Sequence, residues 1–504
     1  MIARKSTLII VTQLINGLLG YVALYFITRY MEPGTYGIMA FAYSFVALFS
    51  IIGNLGFDHA HVKRVSEGKD VGTCIGTFLA TKLGLTGLMA IVTLISIVVW
   101  KLVLGRGFET STHETAVYIM LVYWIIRVIA QFMTTTFQGR KEIAKLQFPN
   151  FFEVLVRSIS IIFVALSGWG TIALVLTYIV GDIIFFLSSL YFFRGYPISY
   201  PSKETFQDYT KFAFPLSIVV ASTILMTNVD KVLIQLFWSA SDVGYYFAAF
   251  RMTQFINLFT AAIGLLLFPT FSSLHSRNDV GGICNLTIQS ERYLSMIVFP
   301  VVMGVIVLAQ PISGILLSGW KEIIPILHIL PLFVLLDALE RPYQTQFMGM
   351  NYPKLARNRV LIMVVVNIVL NLILIPRDIQ SLGLSLFGLG AQGAAIATVV
   401  AYGVGLVYSR IVAWKLTGIT GNPRVLFHLL AAGIMMTVLY IITIMIPIGR
   451  WYILLAVALF GFVIYIGVLY LIREFSKQDL DLFFDALNIK KMVQYIKEEI
   501  RGKP

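Results

Sequence analysis

Six basic residues interrupt stretches of the chain that are otherwise almost wholly apolar. They are Lys82, Arg127, Arg157, Lys231, Arg251 and Arg410. A charged side chain in the middle of a hydrocarbon layer costs roughly 2.5 to 3.5 kcal/mol on insertion scales, so such residues are candidates for function. The chemistry open to a buried cation is to hold an anionic group in a polar slot between helices. Arg410 lies near the end of its stretch and is expected to anchor a helix.

Arg127 is the clearest candidate for contact with an anionic group. Tyr123, Gln131 and Thr135 share its face at four-residue steps, which gives one polar side to an otherwise apolar helix. Such a stripe can line an aqueous cavity and bind substrate, or it can form a structural bond between helices. Arg251 is open to the same two roles.

The other candidate cations have stronger structural explanations. Arg157 follows Glu153 by four residues, the order that pairs well within one helix. Lys231 comes directly after Asp230, so these two side chains diverge and do not neutralise each other across one helical face. Lys82 lies two turns into its stretch, where its long stem is expected to snorkel toward the membrane surface.

Six acidic residues also lie in or beside the apolar stretches: Asp58, Glu153, Asp182, Asp230, Asp337 and Glu340. Near-equal numbers of cations and anions favour pairing between them. Buried carboxylates in transporters can instead carry a coupling proton or sodium ion, and Asp182 and Asp230 are the predicted coupling residues. Asn367 and Asn371, one helical turn apart, are expected to make interhelical hydrogen bonds. The sequence specifies no metal site and no cofactor.

The stretches that carry these residues predict an all-α polytopic membrane protein. Hydrophobic residues make up 58% of the 504 residues and charged residues only 12%, with a mean hydropathy of +0.85. About fourteen stretches are long enough to cross a ~30 Å hydrocarbon core as helices. They lie near 6–30, 36–57, 73–100, 115–138, 148–168, 171–193, 211–236, 243–271, 285–308, 323–348, 359–375, 389–413, 425–446 and 451–472.

The net charge of +13 reflects membrane orientation rather than nucleic-acid binding. Lysine and arginine concentrate in alternate loops and in the C-terminal tail, so the positive-inside rule predicts that both termini are cytoplasmic. This pattern assigns Arg292 and Arg341 to loops, although both lie close to membrane depth. Cys74 and Cys284 are far apart, so no disulfide framework is indicated.

An internal repeat predicts the domain organisation. Met31-Glu-Pro-Gly-Thr-Tyr-Gly37 reappears in outline as Trp238-Ser-Ala-Ser-Asp-Val-Gly244, each before an aromatic-rich span. This spacing predicts two parallel six-span lobes, 1–208 and 209–416, and parallel repeats are typical of transporters with a site between the halves. Two additional spans follow over 417–473, then an amphipathic tail over 474–504, whose basic face is expected to lie on the cytoplasmic leaflet. A solvated tail helix and a chance repeat are the alternatives.

Several motifs resemble those of the polysaccharide-biosynthesis flippases. These are Arg29-Tyr-Met-Glu-Pro-Gly-Thr-Tyr-Gly-Ile-Met-Ala40, Gly53-Asn-Leu-Gly-Phe57, Val62-Lys-Arg-Val-Ser-Glu67, Asn228-Val-Asp-Lys231, Val243-Gly-Tyr-Tyr-Phe-Ala-Ala-Phe-Arg251, Asn367-Ile-Val-Leu-Asn371 and Gly390-Ala-Gln-Gly-Ala-Ala-Ile-Ala-Thr398. Their order runs along nearly the full chain. The resemblance implies membership of the multidrug/oligosaccharidyl-lipid/polysaccharide exporter superfamily, with two six-helix lobes, a V-shaped central cavity and alternating access.

The resemblance implies a flippase for a lipid-linked oligosaccharide in the cell membrane, with the glycolipid and membrane lipids as partners. The resemblance also leaves open whether transport is coupled to a Na⁺ or H⁺ gradient. Association with a polysaccharide polymerase or glycosyltransferases is open in the same way. A cation-coupled multidrug exporter of the same superfamily is the nearer alternative, and a membrane-embedded glycan polymerase or transferase the more distant one. Against an enzyme, the sequence contains neither a G-x-x-x-x-G-K-[ST] loop nor an H-E-x-x-H motif. His59 and His61 are expected to be interfacial.

Overall fold

The computed structural model describes residues 2–104, 108–317, 319–379 and 384–475. Within these ranges the chain is almost entirely helical, which confirms the predicted all-α class. The helices are α1 (Ile2–Tyr30), α2 (Pro33–Asn54), α3 (Phe57–Ser66), α4 (Val71–Val99), α5 (Ser111–Gly139), α6 (Ile143–Leu166), α7 (Thr171–Phe193), α8 (Lys203–Phe237), α9 (Ala240–Ser276), α10 (Val280–Val307), α11 (Ala309–Leu316), α12 (Ile324–Ile329), α13 (Pro331–Gly349), α14 (Pro353–Leu374), α15 (Gly390–Thr417), α16 (Val425–Met445) and α17 (Trp451–Leu471). Two-residue strands, β1 (Asp378–Ile379) and β2 (Leu384–Ser385), form an antiparallel pair between α14 and α15.

Thirteen segments are long and apolar enough to cross a membrane, counted over the described residues. The remaining predicted stretch, 243–271, corresponds to the 37-residue helix α9, many of whose side chains lie outside the described part of the chain. The tenth stretch is one span in length but begins with a 3₁₀ turn, Lys321–Ile323, followed by α12 and α13. The predicted amphipathic tail lies outside the described residues beyond position 475.

Two arginines that the sequence pattern assigned to loops close to membrane depth lie well inside helices. Arg292 is in α10 and Arg341 is in α13. The assignment was wrong because each arginine lies two or more turns inside its helix. A hydropathy pattern ends an apolar stretch at a charged residue, so it placed the loop boundary there. Their carboxylate partners, described below, offset the cost of burying them.

The described residues divide into two compact units. The first unit comprises Val11–Ala248 and Val364–Ala397, and the second contains Ala249–Met363 together with the described residues from Thr398 onward. The predicted lobe boundaries at residues 208 and 416 stay a prediction.

The core of the first unit is built mainly from aromatic side chains. Its central cluster contains Phe57, Phe78, Phe132, Phe137, Phe185, Phe193 and Tyr209. Large apolar side chains elsewhere point outward, for example along α7, α16 and α17. Because lipid tails are as apolar as leucine, such exposure carries no penalty in a bilayer, and close packing between helices has to stabilise the fold instead.

A sharp break between α2 and α3 shapes one end of the first unit. Leu55 and Gly56 adopt left-handed backbone conformations, with φ of 37° and 79°. Gly56 is required for a second reason, because a Cβ atom there would lie 2.6 Å from the carbonyl oxygen of Ala213 in α8. The break ends α2 at Asn54 and leaves its last carbonyl groups in need of partners.

The two copies of the sequence repeat pack directly against each other. A Cβ atom on Gly37 would clash with the carbonyl oxygen of Ala240, and one on Gly244 would clash with that of Pro33. The contact is reciprocal. Gly37 meets Ala240, four residues before Gly244, and Gly244 meets Pro33, four residues before Gly37. Near the centre of this contact, a Cβ on Gly34 would lie 3.3 Å from the Ser241 hydroxyl. We call this crossing of the α2 and α9 N-termini the glycine contact.

Candidate functional site

Helices α5, α6 and α7 bring four charged side chains of the first unit together. Arg127 Nη2 lies 2.7 Å from Asp182 Oδ1 and 3.3 Å from Glu153 Oε1. Arg157 Nη1 lies 2.5 Å from the same Glu153 oxygen. The predicted Glu153–Arg157 pair is therefore confirmed, and Arg127 and Asp182 extend it into an electrically neutral group of four, here called the arginine–carboxylate cluster.

The two arginines are the accessible members of the arginine–carboxylate cluster. The side chains of Arg127 and Arg157 keep 14% and 21% of their exposure, whereas those of Glu153 and Asp182 keep 4% and 0%. The carboxylates are thus the more deeply buried members of the cluster, and the arginine side chains are the ones that keep exposed surface.

Close packing between α6 and α7 makes this arrangement possible. A Cβ on Gly181 would lie 3.0 Å from Arg157 Cβ and 3.3 Å from the carbonyl oxygen of Glu153. Glycine at this position lets α7 approach α6 until Asp182, the next residue, reaches Arg127. Small residues at helix contacts are the usual means of such approach in membrane proteins.

Aromatic rings surround the guanidinium groups. The Arg127 guanidinium carbon lies 4.4 Å from the Phe185 ring centroid and 5.7 Å from that of Tyr123, while that of Arg157 lies 5.0 Å from Tyr178. Aromatic faces attract cations and exclude water, so they stabilise charged arginine in an apolar setting. Of the predicted polar stripe, Tyr123 and Thr135 are buried, and Arg127 and Gln131 keep partial exposure.

Lys82 does not snorkel, contrary to expectation. Its ammonium group is fully buried, 2.6 Å from Asp58 Oδ1 and 2.7 Å from Asn54 Oδ1, and it donates a 3.2 Å hydrogen bond to the Gly53 carbonyl. The lysine therefore binds the C-terminal end of α2, where unpaired carbonyl groups and the helix dipole favour a cation. The break after α2 creates this site, and hydropathy alone does not show it.

His61 is buried rather than interfacial as predicted. Its ring nitrogens contact the Tyr209 hydroxyl at 2.9 Å and the Thr136 hydroxyl at 2.8 Å, and its ring stacks on Phe78. Burial, with a smaller effect from the Lys82 ammonium, lowers the pKa of His61 to about 3. The imidazole is thus a neutral link between α3, α5 and α8 at physiological pH.

Asp230 lies in a second buried polar group of the first unit. Its Oδ2 accepts a 2.6 Å hydrogen bond from Tyr246, and its Oδ1 accepts one of 2.6 Å from Asn371 Nδ2. The predicted interhelical bond of Asn371 is confirmed, while its Nδ2 also contacts Asn367 Oδ1 at 3.0 Å within α14. Asn371 Oδ1 is buried and has no hydrogen-bond donor among the described residues. We call Asp230, Tyr246, Asn367 and Asn371 the Asp230 group.

The other two candidate cations differ in exposure. Lys231 is buried, donates a hydrogen bond to the Thr227 carbonyl and lies 5.8 Å from the Phe247 ring centroid. Arg251, in α9 of the second unit, is exposed. Arg251 belongs to the second unit, whereas the arginine–carboxylate cluster belongs to the first.

Sequence reasoning missed a charged group in the second unit. Arg359 Nε lies 2.9 Å from Glu340 Oε1, to which Ser409 also donates a 2.8 Å hydrogen bond. Arg341 Nη2 lies 2.6 Å from Asp337 Oδ2. The spacing of Asp337 and Arg341, four residues apart, could have indicated that both lie on one helix.

Arg410 has a specific partner in addition to any anchoring role. It pairs with Glu291, a fully buried carboxylate that also accepts hydrogen bonds from the Tyr343 hydroxyl at 3.1 Å and the Asn422 backbone N–H at 2.9 Å. Glu291 was overlooked because the sequence pattern placed its neighbour Arg292 in a loop. Arg292 itself binds Glu474 at 2.5 Å, just after α17.

The fold and the buried ion pairs define a polytopic helical membrane protein. Among solved structures, the chain resembles the lipid II flippase MurJ in an inward closed conformation, with a TM-score of 0.72, 16% identity, and coverage of 91% of this chain and 98% of that one. It also resembles an inward-facing multidrug resistance MATE family transporter of the MOP superfamily, with a TM-score of 0.66, 16% identity, and coverage of 80% and 96%. At this identity the likeness shows a shared fold.

The chain belongs to the polysaccharide biosynthesis protein family, whose model matches residues 26–325. It is 24% identical over 414 residues to the probable low-salt glycan biosynthesis flippase Agl15 of Haloferax volcanii, covering 81% of this chain and 82% of that protein. It is also 24% identical over 244 residues to the probable flippase AglR of the same organism, covering 47% and 49%. The family predicted from the sequence motifs is confirmed.

Proposed function

We propose that this protein is a transporter, not an enzyme, and that it flips a lipid-linked oligosaccharide across the cytoplasmic membrane. The substrate is a glycan on a polyprenyl phosphate or pyrophosphate, and both termini of the protein are cytoplasmic. The names of the two relatives from Haloferax volcanii and the fold shared with MurJ support this proposal. Partnership with glycan polymerases or glycosyltransferases is a further part of it.

The observation that carries the proposal is the layering of charge in the arginine–carboxylate cluster. Arg127 and Arg157 are partly exposed in front of buried Glu153 and Asp182. Arginine offers several N–H donors in a planar fork that matches the oxygens of a phosphate. Without substrate, Glu153 and Asp182 hold the two arginines in place. A substrate phosphate would then compete with these carboxylates for the guanidinium N–H groups.

The same layering disfavours the multidrug exporter. A cationic drug binds best where carboxylates and aromatic faces are accessible. Here the carboxylates are the buried members of the cluster and the arginines are the accessible ones. The accessible charge therefore has the sign that suits an anionic headgroup.

Translocation by the purified protein in liposomes tests the proposed function. We expect a fluorescent polyprenyl-pyrophosphate-linked oligosaccharide to move between leaflets well above the rate in protein-free liposomes. An organic cation such as ethidium should neither be transported nor compete. Cation transport without glycolipid movement would establish the exporter instead.

Alternating access is the proposed mechanism, with the glycine contact as a gate. The contact joins the first residues of α2 and α9, which belong to different copies of the sequence repeat. The backbones of α2 and α9 touch directly at these glycines, so a small movement of one helix away from the other breaks the whole contact. We propose that the two helix ends part when this face opens and meet again when it closes.

For coupling, we propose that the Asp230 group binds Na⁺. Hard cations take oxygen ligands, and the group offers a carboxylate and the Asn371 carbonyl oxygen, which no described donor satisfies. All the ligand atoms that the Asp230 group offers to Na⁺ are oxygens, and the group contains no histidine or cysteine.

A sodium-dependent stability measurement tests this coupling proposal. In detergent, 100 mM NaCl is expected to raise the unfolding temperature of the wild type above its value in 100 mM choline chloride, because an ion that binds only the folded state stabilises it. Asp230→Asn and Asn371→Leu should lose this increment. Glu340→Gln, which alters a buried carboxylate of the second unit, is the matched control and should retain it. An equal response in choline and sodium, with flipping driven by a pH gradient, would assign coupling to protons.

A further inference from the structure

A cavity of about 790 Å³ lies in the second unit, and none of the ion-paired residues described above lines it. Residues from the end of α10, from α11 and α12, from the end of α16 and from the segments that follow α11 and α16 line it. Most of its lining is apolar, with side chains such as Ile306, Val307, Met436 and Ile444. Its volume is within the range of roughly 300 to 1,000 Å³ that is usual for sites of small ligands. We call it the α11 cavity.

Polar groups line one part of the α11 cavity. Lys321, His328 and Gln310 all border it, and all three are exposed. Among the described residues no carboxylate pairs with Lys321, whereas the buried and half-buried cations in the helices have such partners in most cases. A cation beside an apolar cavity, with two further polar side chains, suits a molecule with an apolar chain and an anionic head.

The surroundings of the α11 cavity give such a molecule access from the bilayer. Tyr440 and Ile444 line the cavity and are also 59% and 69% exposed. They lie in the last turns of α16, a candidate membrane span, so the exposed side chains face hydrocarbon or its boundary. A tyrosine at this depth is typical of the interface between acyl chains and headgroups.

We propose that the α11 cavity binds an anionic phospholipid of the surrounding membrane. One acyl chain fills the apolar part, and the phosphate lies against Lys321, with Gln310 and His328 as hydrogen-bond partners. Under the proposed orientation this lipid comes from the outer leaflet. The inference stands apart from the proposed function, since it concerns a resident lipid and a different unit from the arginine–carboxylate cluster.

Gly314 provides a direct way to fill the α11 cavity. It lies in α11, lines the cavity, and has no atom within 4 Å of the position of an added Cβ. Gly314→Leu therefore places a side chain in the cavity without a clash near the backbone, and leucine is a better helix former than glycine. Gly433→Leu in α16 is the matched control, because Gly433 also has open space around its Cβ position but does not line the cavity.

Native mass spectrometry of the full-length protein tests the proposal. After incubation with equal amounts of dioleoyl phosphatidylglycerol and dioleoyl phosphatidylcholine, the wild type should retain phosphatidylglycerol selectively. Lys321→Gln should reduce this retention about tenfold, which corresponds to roughly 1.4 kcal/mol. Gly314→Leu should reduce retention of both lipids. Gly433→Leu and Arg450→Gln, which removes an exposed cation outside the cavity lining, should behave like the wild type.

Two results would overturn the proposal. One is equal retention of phosphatidylglycerol by the wild type, Lys321→Gln and Gly314→Leu. The other is displacement of phosphatidylglycerol by an equimolar polyprenyl phosphate in the wild type but not in Gly314→Leu, because the cavity would then belong to the lipid carrier rather than to a membrane phospholipid.

Discussion

Glycolipid flipping is expected to fall at least about tenfold when Arg127 and Asp182 are replaced together by glutamine and asparagine. The double change removes one positive and one negative charge, so the cluster stays neutral and the Arg157–Glu153 pair remains. Arg127→Ala alone would leave Asp182 without its partner, and breaking a buried pair in this way costs roughly 3 to 5 kcal/mol. The double variant therefore separates loss of a phosphate contact from loss of the fold. Initial rates in proteoliposomes, normalised to reconstituted protein, measure the effect.

The single replacements extend this prediction. Arg127→Ala and Arg251→Ala are both expected to abolish flipping. Both should still give folded protein in the membrane with a monodisperse elution profile, but in a smaller amount for Arg127→Ala, because Asp182 loses its partner. Arg127→Lys should fall between wild type and alanine, because it keeps the charge but loses the planar fork. Arg450→Ala is the control for loss of an exposed arginine. Wild-type rates in the Arg127→Gln/Asp182→Asn variant would show that Arg127 serves only as a structural partner of Asp182.

A disulfide across the glycine contact is expected to stop transport almost completely. Gly34→Cys and Ser241→Cys, in a background with Cys74→Ala and Cys284→Ala, place two thiols where a Gly34 Cβ would already lie 3.3 Å from the Ser241 hydroxyl. The Ser241 hydroxyl oxygen marks the approximate position of the cysteine sulfur at 241. A sulfur this close to the Cβ at position 34 is within reach of a bond to the second sulfur, so the disulfide should form with mild oxidant. If α2 and α9 must separate in each cycle, the oxidised protein is inactive and a reductant restores flipping.

The two single-cysteine variants, treated with the same oxidant, control for chemical damage and should keep their activity. A cross-linked protein that flips glycolipid at the uncross-linked rate would rule out the glycine contact as a gate. A steric variant gives an independent measurement. Gly37→Val cannot maintain the contact, because even a Cβ would clash with the Ala240 carbonyl, so cysteines at positions 34 and 241 should cross-link much more slowly in it.

Local sequence features predicted some of the candidate site. Glu153 and Arg157, four residues apart on one helix, pair as their spacing requires. The same logic would have found Asp337 and Arg341, had a hydropathy boundary not placed Arg341 in a loop. The carboxylate partner of Arg127 was not predictable, because Asp182 is 55 positions away along the chain and reaches it only through the close approach of α7 at Gly181.

Lys82 and His61 show where sequence reasoning failed. Both were expected at the membrane surface, since charge and imidazole at a span end usually seek water. The break at Leu55 and Gly56 instead folds α3 back against α4, α5 and α8 and supplies internal partners for both side chains. Backbone φ values at two residues thus decided the environment of side chains elsewhere in the chain.

Hydropathy alone shows that this protein is a helical membrane protein, because apolar stretches of about twenty residues can satisfy their backbone groups in hydrocarbon only as helices. The repeat and the ordered motifs also indicate the family. The pairing of the charges, the greater exposure of the arginines in the arginine–carboxylate cluster and the meeting of the repeated glycines are visible only in the folded protein. Those features depend on distances between helices that are remote in sequence, and side-chain types within one helix do not fix such distances.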